Sequence, residues 1–308
     1  MLSRMEKITG NEDLSHFNII EIGALDSPVF TRPEYQVQYI DYASTDSLRK
    51  NHVNNPFVSE DKIVDVDYVW SPGLGELSDC VVGEVDFVFA SHVIEHVPDL
   101  VTWFRQIAGI IKTGGKFVLI VPDMNKTFDC LRPLTNTAEV IDAYVRKVTR
   151  PTYKHIFEYY ADHAADKNGG LFADGNHKDA RRVHSLQQSF EKVMESFENN
   201  SYIDAHCWVL TPGSLLKNFA DLVELGLFDF KINNVYMTED MEIDFIISLE
   251  KIDVKNDISA KALQINSFSD AMNMLDIQKR KATGKLSVCK SGIRHKFINL
   301  AKYILRKK

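Results

Sequence analysis

The chain has only four cysteines among 308 residues, and none of them form a C-x-x-C pair. Cys80, Cys130, Cys207 and Cys289 stand far apart. That argues against a cysteine-based zinc site and suits a reducing cytosol. No run of about 18 apolar residues occurs, so no helix is expected to span a bilayer. The opening MLSRMEKITGNEDL has no apolar signal core, so a cytoplasmic location is expected. Internal repeats and low-complexity segments are also missing. A G-x-G-x-x-G loop is absent too: Ala24-Leu25 follows Gly23, a poor cradle for a dinucleotide pyrophosphate. Nor is there a basic excess, since 36 Lys/Arg face 43 Asp/Glu. That argues against a general nucleic-acid binder.

What is present is a globular composition, 44% apolar, enough for a sizeable core. The charge is unevenly placed. Lys279–Lys308 holds 11 of the 36 basic residues and no acidic one, so the body is acidic and the tail basic. FNIIEIGALDSP reads as a buried strand ending in a glycine turn. VQYIDYAS, DKIVDVDYVW and VDFVFAS read as the next three strands. HVIEHVPDLVTWFRQIAGII has helical spacing and is expected to stop at Thr113-Gly114-Gly115, before a fifth strand, KFVLIVPD. Near-continuous apolar strands alternating with helices predict a parallel sheet covered on both faces. The rhythm breaks after Asp123 and returns at Thr211-Pro212, an N-cap followed by proline at the first helical position. Two more strands, in FDFKINNVYMT and MEIDFIISLEK, complete the pattern. The expected organisation is a core of residues 1–123 and 208–252 and a mainly helical insertion, 124–207, after strand five. Residues 253–308 are expected as a polar linker and a basic amphipathic helix.

Open parallel sheets bind ligands at the carboxyl ends of their strands. The candidates are therefore Glu21–Asp26, including Gly23 and Ala24, then Asp41, Asp65–Trp70, Ser91–His96 and Asp123. Gly23 permits a tight turn and close approach to a ligand. Asp41 ends the second strand about twenty residues on, where a carboxylate accepts ribose hydroxyls. A turn glycine and a strand-end aspartate can equally be structural. A nucleoside without phosphates suits this loop better than a dinucleotide.

The combination of EIG, Asp41, FASHVIEHVPD and the helix-TGGKFVLIVPD unit resembles class I S-adenosylmethionine-dependent methyltransferases over residues 17–123 and again 211–250. The resemblance implies a Rossmann-like seven-stranded mixed sheet, order 3-2-1-4-5-7-6, with the last strand antiparallel. It implies that Glu21 and Gly23 lie along the methionine moiety and that Asp41 holds the ribose. Asp65 or Asp67, with Tyr68 and Trp70, would face the adenine. VPDMNKTFDCLRPLT and HCWVLTPGSL resemble methyltransferases of bacterial surface-polysaccharide gene clusters. That likeness implies O-methylation of a sugar hydroxyl in O-antigen or capsule synthesis, with a glycan or nucleotide-sugar acceptor. A quinone, lipid or other small-molecule acceptor, or a non-catalytic binding protein on this fold, would share the cofactor motifs.

SHVIEHVPD contains His92, Glu95 and His96, the H-x-x-E-H pattern of inverted zinc peptidases. Context excludes that chemistry: such a motif lies within a long helix, whereas this one leaves a buried strand. Residues i, i+3 and i+4 share a helix face. Three roles stay open for the trio: bracing the loop, removing the acceptor proton through His96 or His92, or holding a divalent cation. Ubiquinone-pathway O-methyltransferases carry a similar E-x-x-E-H. With His92 in the first position, a hard cation such as Mg²⁺ is less well served.

The insertion is expected to form an acceptor lid. It carries His155, His163, His177, His184 and His206, with Arg132, Arg146, Arg150, Arg181 and Arg182. Tyr153, Tyr159, Tyr160, Phe172 and Trp208 are candidates for stacking on sugar rings, and His206 is a further candidate base. In the tail, Ile293, Phe297, Ile298, Leu300, Ala301, Ile304 and Leu305 form an apolar stripe among basic residues. Two readings stay open: a helix lying on the inner membrane surface, or one docking on its own domain or on a glycan-assembly protein.

Overall fold

A computed structural model describes residues 2–71, 73–254 and 258–283. After a short helix α1 (Arg4–Thr9), the strands β1 (Asn18–Ile22), β2 (Gln36–Asp41), β3 (Tyr68–Val69), β4 (Val85–Ser91) and β5 (Ile111–Pro122) run parallel. A two-stranded ribbon, β6 (Ala164–Ala165) and β7 (Arg181–Arg182), lies in the insertion. β8 (Phe230–Tyr236) and β9 (Asp244–Lys251) complete the main sheet, in the order β3-β2-β1-β4-β5-β9-β8. β9 is antiparallel to both its neighbours. With the ribbon left out of the count, this is the expected 3-2-1-4-5-7-6 order with the last strand antiparallel.

The near-continuous apolar strands supply two cores at once, because successive side chains point to opposite faces. Ile20, Val88, Ala90, Phe117, Leu119 and Val121 belong to one cluster. Ile19, Phe87, Phe89, Val118 and Ile120 belong to the other. The first face is covered by α3 (Leu100–Ile110), α7 (Pro212–Glu224) and α8 (Ile258–Thr283). The second is closed by Phe30 and by Ile8 of α1. Between α1 and α3 comes α2 (Thr45–His52), and the insertion contributes α4 (Thr137–Arg146), α5 (Tyr153–Ala161) and α6 (Leu186–Asn199).

Four expectations need correcting. The third strand is two residues, not ten; its upstream half holds a 3₁₀ turn, Glu60–Lys62. α3 begins at Leu100, capped by the Asp99 carboxylate, so His92, Glu95 and His96 are not on it. They lie in a tight turn of which Ile94–His96 is 3₁₀. α3 also ends at Ile110, ahead of Thr113; Gly114 and Gly115 lie inside β5, at an irregularity between the Val85–Ile111 and Phe87–Lys116 pairs. Residues 258–283 are a helix docked on the core, not a polar linker: Ile265, Phe268, Ala271 and Leu275 are buried in it. Gln264, also buried, donates to the Phe228 and Phe230 carbonyls at 2.7 and 2.9 Å. Its polar spacing hid this narrow apolar stripe. The proposed tail helix, Ile293 to Leu305, lies outside the described residues. Among the described residues, no helix is long and apolar enough to cross a membrane.

Phe104 of α3 joins the helices to the sheet. Its ring meets those of Trp103, Phe117, Phe219, Phe228 and Phe230 at centroid separations of 5.0 to 6.2 Å. Phe104→Ala removes a fully buried ring and is expected to cost about 3–5 kcal/mol, read as a lowered urea midpoint at unchanged slope.

Candidate active site

At the end of β1 the chain turns at Gly23, whose φ is +70° and whose amide donates to the Ile40 carbonyl. A Cβ here would lie 2.7 Å from Val93 Cγ2, so only glycine lets the β1 and β4 turns approach this closely. Glu21 is buried, and its two oxygens accept from the Val29 and Phe30 amides at 2.8 and 2.9 Å. Burial pushes its carboxyl up to about 7 against those two bonds. Glu21 therefore shapes the loop after Gly23. The Ala24 methyl is packed in the core, so only its backbone is available to a ligand.

Asp41 ends β2, buried, with Oδ1 accepting its neighbour's amide at 2.7 Å. Among the described residues its other oxygen has no protein partner. Burial raises its carboxyl to about 6. The two candidates around β3 fare differently. Asp67 accepts the Tyr39 amide at 2.7 Å and pairs with Arg32, so it is committed to structure. Asp65 is exposed, 4.0 Å from Arg49. Both precede β3, whose carboxyl end is at Val69. Trp70 is a core residue donating to the Gly75 carbonyl, and the Tyr68 hydroxyl accepts from Gln38. Asp123 closes the turn after β5, accepting from the Asn125 amide and the Thr238 hydroxyl.

Beyond Ser91, the final residue of β4, His92 takes a left-handed φ of +53°. Its Nε2 lies 3.1 Å from Asp244, which is also gripped by Arg4. Glu95 is buried between two rings, with Oε1 3.7 Å from His92 and 3.9 Å from His96. His96 turns the other way, toward the insertion, with Nδ1 2.9 Å from Asp204. Burial opposes a charge on His96, but the Asp204 bond and the fields of Glu95, Asp204 and Asp129 outweigh it, pushing the ring up to about 9. An imidazole holding its proton at neutral pH is a donor, so the expected role of His96 as a neutral base does not suit this arrangement.

The insertion returns to the core beside this turn. The Glu95 carbonyl accepts the Cys207 and Trp208 amides, and the Trp208 indole donates to the Val97 carbonyl. His206 is thereby set edge-on to His96, ring centroids 4.8 Å apart. Its Nδ1 lies 2.6 Å from Asp129. Buried Arg132 bonds both Asp129 and the His206 carbonyl, at 2.7 and 2.8 Å. Burial works against the Asp129 carboxylate, yet His206 and Arg132 hold it below its ordinary range. One oxygen of Glu95 and one nitrogen each of His96 and His206 lie within 4.8 Å of one another. His206, not His92, completes this cluster, which corrects the expected cation set.

Asp129 and Asp204 were missed in the sequence; they stand 77 and 108 positions from the histidines they hold, and no local pattern marks them. Around the cluster, Phe128 stacks on His163, Tyr159 meets both edge-on, and the Phe128 and Tyr159 rings lie tilted against His206. Trp208 and Phe172 are buried and cannot stack on a sugar; Tyr153 is exposed against Phe197. His155 is buried against Trp208, pushed down to about 4 by burial. His177 bonds the Asn125 carbonyl, and His184 lies against Tyr160 and His163.

Residues 7–253 match the sequence model of a methyltransferase domain family. The chain belongs to that methyltransferase family. S-adenosylmethionine is the cofactor of this methyltransferase, and the Asp41 oxygen that has no partner among the described residues is the feature of this edge that fits its ribose hydroxyls. No curated protein matches the sequence. Among solved structures, an S-adenosylmethionine-dependent methyltransferase from Mesorhizobium loti is 13% identical, covering 80% of this chain and 96% of its own, at a TM-score of 0.40. One described as putative, from Listeria monocytogenes, is 14% identical, covering 81% and 96%, at 0.39. A glycopeptide N-methyltransferase complexed with S-adenosyl-L-homocysteine is 12% identical, covering 80% and 87%, at 0.38.

Should Asp41 take the ribose hydroxyls, they favour its ionised form, and cofactor binding lowers its pKa. Affinity is then complete above the free-protein value of about 6 and lost as pH falls through it, up to about tenfold per unit. Calorimetry with S-adenosylmethionine between about pH 5 and about pH 8, spanning the raised carboxyl value, is expected to show this component. In Asp41→Asn it should vanish, with affinity about 10- to 100-fold below the wild-type value at the upper end of that range and the gap closing as pH falls.

Proposed function

We propose that this methyltransferase O-methylates a sugar hydroxyl of a glycan or nucleotide sugar, in bacterial surface-glycan (O-antigen or capsule) synthesis. The observation that supports this reading is the meeting of His96 with His206 at the carboxyl edge of β4, under the insertion's aromatic wall. A hydroxyl acceptor must lose a proton as its oxygen becomes bonded to the methyl, so polar groups able to manage that proton are needed beside it. Here three carboxylates and two imidazoles converge within one small volume. Tyr159, beside His206, offers an aromatic face at that point, and burial pushes its hydroxyl pKa upward, so the phenol stays neutral.

The bound cofactor supplies an electrophilic methyl on a sulfonium. The chain's contribution is placement: an acceptor oxygen held in line with the departing sulfur gains most of its rate from orientation. His96 and His206 flank the acceptor side. His92, tethered by Asp244, holds the far side of Glu95.

Incubation with S-adenosylmethionine and candidate acceptors tests the reading. The expected result is S-adenosylhomocysteine together with a one-methyl mass gain on a nucleotide sugar or glycan, abolished with Asp41→Asn. Turnover only with quinones, lipids or amines would replace the sugar acceptor, and no turnover with any hydroxyl compound would end it. The basic stretch Lys279–Lys308 supports a second element of the proposal, attraction to anionic lipid at the inner membrane surface. Sedimentation with anionic liposomes is expected to pellet the full chain and not one ending at residue 289. Equal pelleting of both would remove that element.

A further inference from the structure

We infer that Glu95, His96 and His206 form a binding site for a first-row divalent transition cation such as Zn²⁺, Co²⁺ or Fe²⁺. Four observations carry this. First, two imidazole nitrogens and a carboxylate oxygen lie within 4.8 Å of one another, a two-histidine, one-carboxylate donor set. That set with open positions suits borderline cations and not Mg²⁺ or Ca²⁺. Second, both rings are held through Nδ1, His96 by Asp204 and His206 by Asp129, at 2.9 and 2.6 Å. This leaves Nε2 on each ring as the ligating atom, the cation taking the place of any proton held there. A carboxylate on the outer nitrogen is the usual support of a metal-bound histidine, fixing its tautomer and raising its donor strength. Third, Asp129 is itself held by the buried Arg132, so the outer shell is braced in turn.

Fourth, Glu95 Oε2 is buried and has no hydrogen-bond partner among the described residues. Its Oε1 reaches only the two rings, at 3.7 and 3.9 Å. A buried carboxylate oxygen without a donor is costly, and a cation satisfies it. Metal–ligand distances of about 2.1 Å require the three atoms to close to roughly 3.4 Å of one another. His96, part-exposed on a turn, can supply that movement. His92 is left out because it does not join the three donor atoms that lie within 4.8 Å of one another, although its Nδ1 is 3.7 Å from Glu95 Oε1; its Nε2 is held by Asp244, which Arg4 grips.

The site itself does not depend on the acceptor. Its use in O-methylation does rest on the reading above: open coordination positions would take the acceptor hydroxyl and acidify it, with the proton passing to solvent beside the exposed Asp204. His96 and His206 are then ligands, not bases.

The untagged full chain, stripped with EDTA, is titrated with Co²⁺ and followed by visible d–d absorption, with Zn²⁺ calorimetry in parallel. The expected result is one Co²⁺ per chain, lost in Glu95→Gln and in His206→Asn, retained in His92→Ala, and about 10- to 100-fold weaker in Asp129→Asn. Should the buried His206 variant fail to fold, His96→Ala, at a part-exposed position, serves in its place and is expected to lose the absorption. Absence of Co²⁺ absorption, or absorption that survives His96→Ala, overturns the site. S-adenosylmethionine calorimetry on the stripped protein separates the two proposals. Cofactor binding without Co²⁺ binding leaves methyl transfer standing, whereas Co²⁺ binding without cofactor binding leaves only the cation site.

Discussion

The arrangement depends on one main-chain contact, the Glu95 carbonyl accepting the amides of Cys207 and Trp208. It joins the turn after β4 to the point where the insertion re-enters the core. The indole of Trp208, buried and bonded to the Val97 carbonyl, repeats the tie two residues on. Neither side of this contact is α-helix or strand; a 3₁₀ turn and an irregular segment satisfy each other's backbone groups in place of water. Because the partners are main-chain atoms, the tie survives side-chain substitution around it. It is what makes His206 a neighbour of His96.

The sheet was legible because each strand buries both faces, which leaves the continuous apolar runs seen in NIIEI, VDFVFAS and KFVLIVP. Thr211-Pro212 marked its helix equally well, through a cap and a proline whose effects are local. β3 was overestimated for the opposite reason. VDVDYVW alternates like a strand, but Asp67 bonds the Tyr39 amide and Arg32, and pairing starts only at Tyr68. At the site, Gly23 and Asp41 could be read because strand ends are fixed by topology. The partners of His96 and His206 could not. Asp204 and Asp129 become visible only when the insertion folds back, and that closure has no sequence period. SHVIEH itself misled: spacing i, i+3, i+4 suggested one helical face, whereas the left-handed His92 sends its ring toward β9 and away from His96.

Two electrostatic regimes sit side by side along the carboxyl edge. At the ends of β1 and β2, Glu21 and Asp41 are carboxyls raised by burial, and the bonds they accept among the described residues come from amides. Beside the turn after β4, Asp129 is depressed because His206 and Arg132 outweigh its burial, and Asp204 because His96 and His206 favour its charge. The first regime leaves acids short of positive partners and open to hydroxyl donors. The second is already dense in compensated charge. The same sheet edge thus offers hydrogen-bond acceptance at one end and charge management at the other, separated by the Gly23–Val93 contact.

Arg4 belongs to the first turn of the chain, yet it grips Asp244, which holds His92, which abuts Glu95. The amino-terminal helix is therefore wired to the centre of the molecule by charge, not merely laid against its back. A change of charge at residue 4 is therefore felt at the turn after β4, through one carboxylate and one imidazole.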